Sequence, residues 1–263
     1  MTLDGDTVFA VTGAAGSIVS AITADLAEHS GGHFYLLDMV PEPDPANADI
    51  RRVASDRDGL KRDIFERLKA GGERATPALV ERELAALERS NAALSAIEAV
   101  QSAGGSCRYL QVDLTDSDAV TAAVDAIRQE QGHIDVLLHA GGIERSHILP
   151  DKPEQEFDLV FDVKCHGWFN LLRAIDDMPL GAAVVFSSIA GRFGNLGQTD
   201  YSAANDLLCK HSGALQGTRG IAIDWTAWAD IGMASRGGIP EMMAQAGIDM
   251  LAPEAGIPVI RNE

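Results

Sequence analysis

The sequence predicts an α/β fold, a doubly wound parallel sheet of about seven strands with helices on both faces. Two observations carry this expectation. Short apolar runs of strand length alternate with longer segments of helical spacing, and such alternation builds parallel β–α–β units with right-handed crossovers. The first run leads into a turn of small residues, Gly13-Ala14-Ala15-Gly16. Residues of that size let a chain pass tightly from strand to helix.

The first strand covers residues 8–12, an apolar run that ends on Thr12. Continuous apolarity is what burial on both faces requires. A helix over 18–28 follows, and a second strand at 33–38 closes on Asp38. Further strands are expected at 109–113, 134–139, 182–186 and 220–225, with a helix over 116–131. The apolar tail, 256–263, lacks a helical stop signal and is expected to form the seventh strand. Gly237 and Gly238 precede a methionine-bearing helix. That arrangement predicts a mobile lid over about 235–250. The whole chain, 1–263, is expected to form a single domain.

Residues 41–105 interrupt the alternation. Pro41, Pro43 and Pro45 exclude helix at the start. A charged helix over 56–70 is broken at Gly71 and Gly72. Thr76 before Pro77 then predicts an N-cap with proline in the first turn of a long helix to about 103. The expectation is a helical excursion packed on the sheet edge, with a docking surface as the sharper alternative. Residues 49–90 hold 9 acids and 10 bases, so the net charge of −18 arises elsewhere in the chain.

That acidity argues against nucleic acid and anionic membrane as partners, since both select a basic face. No apolar run reaches the ~18 residues of a membrane span, and the first residues carry no basic signal segment. Cys107, Cys165 and Cys209 have no metal-ligand spacing. Sparse, odd-numbered thiols point to a reducing, cytoplasmic setting.

The small-residue turn has a second use. A helix N-terminus behind glycines offers free N–H groups and a positive dipole to a pyrophosphate. A third glycine would be expected at position 19, where valine stands. Asp38, 25 residues after Gly13, is placed to bind ribose hydroxyls, which tips the expectation toward NADH over NADPH. Asp113 ends the third expected strand, where it can reach an adenine edge or cap a helix through Thr115. His139 reads as a packed, hydrogen-bonded histidine, and Ala140 and Gly141 let the backbone pass near a ribose. The expected dinucleotide contacts are thus Thr12, Gly13, Ala15, Gly16 and Ile18 at the first turn, Asp38, Asp113 with Leu114, and His139, Ala140 and Gly141.

The most reaction-specific stretch follows the fifth strand. Ser188 stands at its end, Tyr201 comes 13 residues later, and Asn205 4 residues after that. A spacing of four puts phenol and amide on one helical face. A hydroxyl, a phenol and an amide beside a nucleotide fold are suited to proton transfer in carbonyl reduction. Cys165 and His166 point about 100° apart on a helix, so they read as packing residues and not as a nucleophilic pair. Trp225 and Trp228 read as a cap over the cofactor pocket.

Together these pieces resemble the short-chain dehydrogenase/reductase superfamily, over nearly the whole chain outside the insertion. Most of its members carry lysine four residues after the tyrosine. Here Asn205 takes that place, and a lysine, Lys164, lies 24 residues before Ser188, where the usual enzymes keep asparagine. This exchange resembles the ketoreductase domains of type I polyketide synthases. The long insertion resembles those of polyunsaturated-fatty-acid synthases. At Ile143-Glu144-Arg145-Ser146 and at Phe193 the chain departs from the motifs that track with product configuration in such domains.

The resemblance implies a Rossmann-type fold and reduction of a β-ketoacyl thioester by NAD(H) or NADP(H), with the acyl chain on the phosphopantetheine arm of an acyl carrier protein. It implies that Tyr201 donates the proton and Ser188 fixes the carbonyl, with Ser187 as the alternative. Lys164 would lower the tyrosine pKa and bond the ribose, and Asn205 would hold a water or Lys164 in a relay. Other megasynthase domains are implied as partners, and homo-oligomerisation stays open. The alternatives are a stand-alone dehydrogenase on a small alcohol or ketone, and a non-catalytic structural or nucleotide-sensing domain.

Overall fold

A computed structural model describes residues 2–72, 74–235, 238–245 and 247–263. The order is β1 (Val8–Thr12), α1 (Ser17–Ser30), β2 (His33–Asp38), α2 (Ala48–Arg52), α3 (Arg57–Ala70), α4 (Pro77–Ser102), β3 (Ser106–Gln111), α5 (Ser117–Glu130), β4 (Ile134–His139), α6 (Glu154–Ile175), β5 (Leu180–Ser188), α7 (Ile189–Phe193), α8 (Thr199–Ser212), β6 (Arg219–Trp225), α9 (Ile239–Gln245), α10 (Pro253–Gly256) and α11 (Val259–Asn262). The strands form one parallel sheet in the order β3-β2-β1-β4-β5-β6. Strand order reverses between β1 and β4, and the strand ends there open the crevice in which doubly wound folds bind ligands.

Burial on both faces explains the apolar runs. Phe9 and Val11 of β1 join one core with Ile22, Leu26, Phe34 and Val100. Val8 and Ala10 join the other with Ile127, Trp168, Leu171 and Leu208. Alternate side chains of a strand face opposite sides, so both registers must be apolar. Phe9 and Phe34 are register partners whose rings stack with centroids 4.3 Å apart.

The excursion after β2 differs from the expectation. Its long helix α4 lies on a sheet face beside α1, not at the edge. Ala93, Ala96 and Val100 enter the α1 core, and Ser20 Oγ donates to the Ala92 carbonyl at 2.7 Å. A parallel β2–β3 pair needs a crossover helix, and small residues let α4 approach closely enough to serve. Thr76 caps α4 through the Leu79 N–H, with Pro77 in the first turn. The N-terminal half of α4 builds a small separate core with α3 from Leu60, Ile64, Val80 and Leu84. Its charges pair internally, as in Arg51–Glu98, Arg67–Asp49 and Arg57–Glu88.

Three further expectations are corrected. β3 begins three residues before the apolar run, because it is an edge strand aligned from His33↔Ser106 to Asp38↔Gln111. Asp113 therefore lies beyond the strand. No seventh strand forms among the described residues. Pro253 starts α10, Pro258 precedes α11, and Ile257 and Ile260 fold back onto the α1 core. Arg261 Nε also donates to Asp25 Oδ2 on α1 at 2.9 Å. The expected lid contains α9, with Met242 exposed, but Gly237 of its hinge lies outside the described residues.

Candidate active site

The first turn is built for close approach. Gly13 has φ +72°, and a Cβ there would stand 2.9 Å from both Ala140 O and Gly141 N. The Gly13 and Ala14 N–H groups donate to Leu37 O, and Gly16 N–H to Gly13 O. Gly16 caps α1 with no side-chain bond, and no acid occupies the first helical turn. No acid of α1 itself opposes an anion at its leading N–H groups, which suits them to the pyrophosphate of a dinucleotide. Val19, in place of a third glycine, is buried in the α1 core. Ile18 lies against Gly232 of the segment after β6, whose N–H donates to Ser17 Oγ at 2.9 Å.

Thr12 and His139 anchor the strand ends behind this turn. His139 Nε2 lies 2.9 Å from Lys164 O, and Nδ1 lies 3.0 Å from Thr12 Oγ1. A carbonyl only accepts, so Nε2 carries the proton and Nδ1 accepts from the Thr12 hydroxyl. Thr12 Oγ1 in turn accepts the Ala140 and Gly141 N–H groups, each at 3.1 Å. Burial pushes the His139 pKa down to about 3, so the ring is neutral. Both side chains are spent inside the protein and act as braces. Leu114 packs beneath Gly141 and Gly167. Asp113 Oδ1 accepts the Thr115 N–H at 2.9 Å and hydroxyl at 2.8 Å in a local turn, and the cap of α5 is Asp116, not Asp113.

Asp38 is deeply enclosed. Its Oδ2 accepts the Ala15 N–H at 2.9 Å, and its Oδ1 accepts the Val40 N–H at 3.0 Å and Arg89 Nη2 at 2.6 Å. Nothing in the sequence links Arg89 to Asp38, since they lie on different elements 51 residues apart.

β5, α6 and α8 bring the reactive groups together. Ser188 ends β5 and caps α7, its Oγ accepting the Ala190 N–H at 3.2 Å. Ser187 points inward, its hydroxyl donating to Asn205 O at 3.1 Å. Tyr201 lies in the first turn of α8. Lys164, on α6 and 3% exposed, holds its Nζ 2.7 Å from Phe186 O and 5.6 Å from the Tyr201 ring centroid. A Cβ on Gly142 would press on Lys164 Cε at 2.8 Å, so a glycine makes room for the lysine.

The electrostatics differ from the expected lysine-activated phenol. Burial raises the Tyr201 pKa, opposed by hydrogen bonds from the Asn205 and Ser188 side chains, while the Glu144 charge adds to the rise. The Lys164 ammonium is hydrogen-bonded to Phe186 O and lies over the ring face, and it is not among the causes of this shift. Burial lowers the Lys164 pKa to about 8. Asn205 Nδ2 donates to Tyr201 O at 2.7 Å. Its Oδ1 is buried without a partner among the described residues. Such an acceptor costs about 1–3 kcal/mol unless a donor reaches it.

Two other groups read from the sequence are structural. Burial raises the Cys165 thiol to about 12, which keeps it protonated and unreactive. Trp228 is 2% exposed and packs in the α1 core, its ring 4.9 Å from that of Trp225. It belongs to the core and is not a cap over the pocket. A charge pair that sequence reasoning missed, Lys152–Asp200, lies directly before Tyr201. Among the described residues no cluster of side chains could hold a metal, and no helix is long and apolar enough to cross a membrane.

A family model described as the KR domain matches residues 7–230. One component of the polyunsaturated fatty acid synthase of Thraustochytrium sp. is 30% identical over 211 residues, covering 78% of this chain and 8% of that protein. Short-chain reductase protein NovJ of Streptomyces niveus is 35% identical over 135 residues, 49% of this chain and 51% of NovJ. The crystal structure of a ketoreductase domain from the bacillaene assembly line superposes with a TM-score of 0.71 at 21% identity. That match covers 99% of this chain and 54% of the crystallised one, and it shows the shared fold. The chain thus spans under a tenth of the synthase component and about half of the other two proteins.

Proposed function

The chain belongs to the KR-domain family of NAD(P)H-dependent oxidoreductases, and from that premise we propose that it reduces β-ketoacyl thioesters carried on an acyl carrier protein. The observation that carries this reading is the convergence at Tyr201. Ser188 stands beside the phenol, and Lys164 lies 5.6 Å over its ring.

The dinucleotide supplies a hydride to the carbonyl carbon when bound. The protein's part is to hold the carbonyl and manage the proton. Ser188 donates a hydrogen bond to the carbonyl oxygen, where negative charge develops. Tyr201 gives that oxygen a proton; burial holds the phenol protonated and weakens it as an acid, and the Asn205 and Ser188 hydrogen bonds oppose that effect. The orphaned Asn205 Oδ1 accepts from the donor that reprotonates Tyr201. Lys164 provides positive charge at the ring face. Gly13, Ala15, Gly16, Ile18, Ala140 and Gly141 line the dinucleotide cradle, and Thr12 and His139 brace it from within.

The synthase relative supports a carrier-bound substrate and neighbouring synthase domains as partners. The likeness to NovJ favours a second reading, a stand-alone reductase of free substrates. We set the activity in the cytoplasm, in keeping with three unpaired cysteines.

The test is a reductase assay on trans-1-decalone, an acetoacetyl thioester of a short pantetheine mimic, and the same acyl group on a carrier protein. Wild type is expected to turn over all three, with the lowest KM for the carrier-bound form. Tyr201→Phe is expected to lose about 10²–10⁴-fold in kcat/KM, the usual worth of a positioned general acid. Inactivity of wild type on all three carbonyls refutes the enzyme reading. Equal KM for free and carrier-bound thioesters supports the stand-alone reading.

A further inference from the structure

We propose that Arg89, delivered by the excursion helix α4, binds the 2′-phosphate of the dinucleotide and makes this site select NADPH over NADH. The proposal rests on the dinucleotide reading given above and names the residue that sets its coenzyme choice.

An acid at the end of the second strand ordinarily bonds the ribose hydroxyls and repels a 2′-phosphate. Asp38 holds that position, but its carboxylate is not free to do either. Two backbone N–H groups and one guanidinium already use three of its roughly four acceptor sites. The Arg89 charge, 2.6 Å away, cancels its own. The Asp38 side chain is 2% exposed, while that of Arg89 is 42% exposed. What the strand end presents outward is therefore a cation.

Arg89 also has unused donors. A guanidinium carries five N–H groups in a planar fork, and the bond to Asp38 engages Nη2. Its Nε is buried and has no hydrogen-bond partner among the described residues. An oriented, half-exposed guanidinium matches a phosphate through the Nη–H groups that Asp38 leaves free. Asp38 then acts as the anchor that orients the fork.

The placement agrees. Ala15, in the turn that fits the pyrophosphate, donates to the same carboxylate that holds Arg89. Arg89 is thus two hydrogen-bonded steps from the pyrophosphate turn, on the side of β2 where the adenosine ribose of a doubly wound fold lies. The surrounding charge makes a local cation necessary. Outside residues 49–90 the chain holds 30 acids against 11 bases, a surface that would otherwise repel another phosphate. Arg89 comes from the charge-balanced stretch.

Calorimetric titration with adenosine 2′,5′-bisphosphate and with AMP tests this without any turnover. Wild type is expected to bind the bisphosphate at least tenfold more tightly. Arg89→Gln is expected to bring that ratio close to one while leaving AMP affinity within about twofold, and Arg89→Lys to keep part of it. In assays, the wild-type kcat/KM ratio for NADPH over NADH is expected to fall by the same factor in Arg89→Gln. A wild type that binds both nucleotides equally, or an Arg89→Gln protein that is folded by circular dichroism and keeps the wild-type ratio, overturns the role of Arg89 alone. Binding of neither nucleotide by wild type overturns the dinucleotide reading, and the proposal with it.

Discussion

Lys152 Nζ stands 2.5 Å from Asp200 Oδ2, and the two side chains are 1% and 0% exposed. Lys152 also donates to Arg145 O at 2.7 Å, while Asp200 Oδ1 accepts the Tyr201 N–H at 2.8 Å. One enclosed ion pair therefore ties the loop between β4 and α6 to the residue that carries the proposed proton donor. Removing one member of a buried pair strands the other charge. Lys152→Met is expected to cost about 3–5 kcal/mol in urea unfolding. Lys152→Met/Asp200→Leu is expected to be more stable than the single variant, because no charge is left alone. A single-variant cost below about 1 kcal/mol would show that the pair is hydrated and unimportant.

Gly13 is the turn residue with least tolerance. Its φ of +72° disfavours any side chain, and a Cβ would press on Ala140 O and Gly141 N. Left-handed backbone alone costs a non-glycine residue about 1–2 kcal/mol. Gly13→Ala is expected to lower Tm and to weaken coenzyme binding at least tenfold by prying β1 from β4. Unchanged affinity in fluorescence titration would place the dinucleotide away from this turn.

Lys164 is expected to make stability depend on alkaline pH in an identifiable way. Its pKa is about 8 in the fold against 10.5 ordinarily. Below pH 8 both states are protonated, and the fold bears the cost of the buried charge in full. Between pH 8 and 10.5 the unfolded chain holds more protons, so stability rises with pH. The full gain is about 3 kcal/mol. Other groups oppose this, so the measurement is the difference between wild type and Lys164→Met across pH 7–10. A difference that stays flat would refute burial of the ammonium.

His139 gives a matching dependence on the acid side. The fold holds it neutral down to about pH 3, against an ordinary value of 6.5. Below pH 6.5 the unfolded chain takes up a proton that the fold refuses, so stability is lost at about 1.4 kcal/mol per pH unit. His139→Gln can still donate to Lys164 O and accept from Thr12, and it should lose that slope. Persistence of the wild-type acid sensitivity in the variant would assign it to carboxylates instead.

Much of the fold was readable in the chain because it rests on local order. Runs buried on both faces must be apolar, as in residues 8–12, and Thr76 with Pro77 marks a helix start by its own chemistry. The failures fall where context outweighs pattern. The edge strand β3 opens on Ser106-Cys107-Arg108, where polar residues flank a single cysteine, so its start carries no apolar signature. The tail 256–263 looked like a strand because it is apolar, but two prolines and packing against α1 turned it helical.

At the site, the sequence by itself determined which chemistry is present. Ser188, Tyr201 and Asn205 lie close along the chain, and their spacing maps onto a strand end and one helical face. Only the tertiary structure decided how that chemistry is tuned. Lys164 spends its ammonium on Phe186 O, Lys152 locks Asp200, and Arg89 crosses from the excursion helix to cancel Asp38. Those partners lie 22, 48 and 51 residues apart. The physical reason is that charge and burial act through space. An acid, a lysine or a phenol has one meaning in a sequence and another once its neighbours are known.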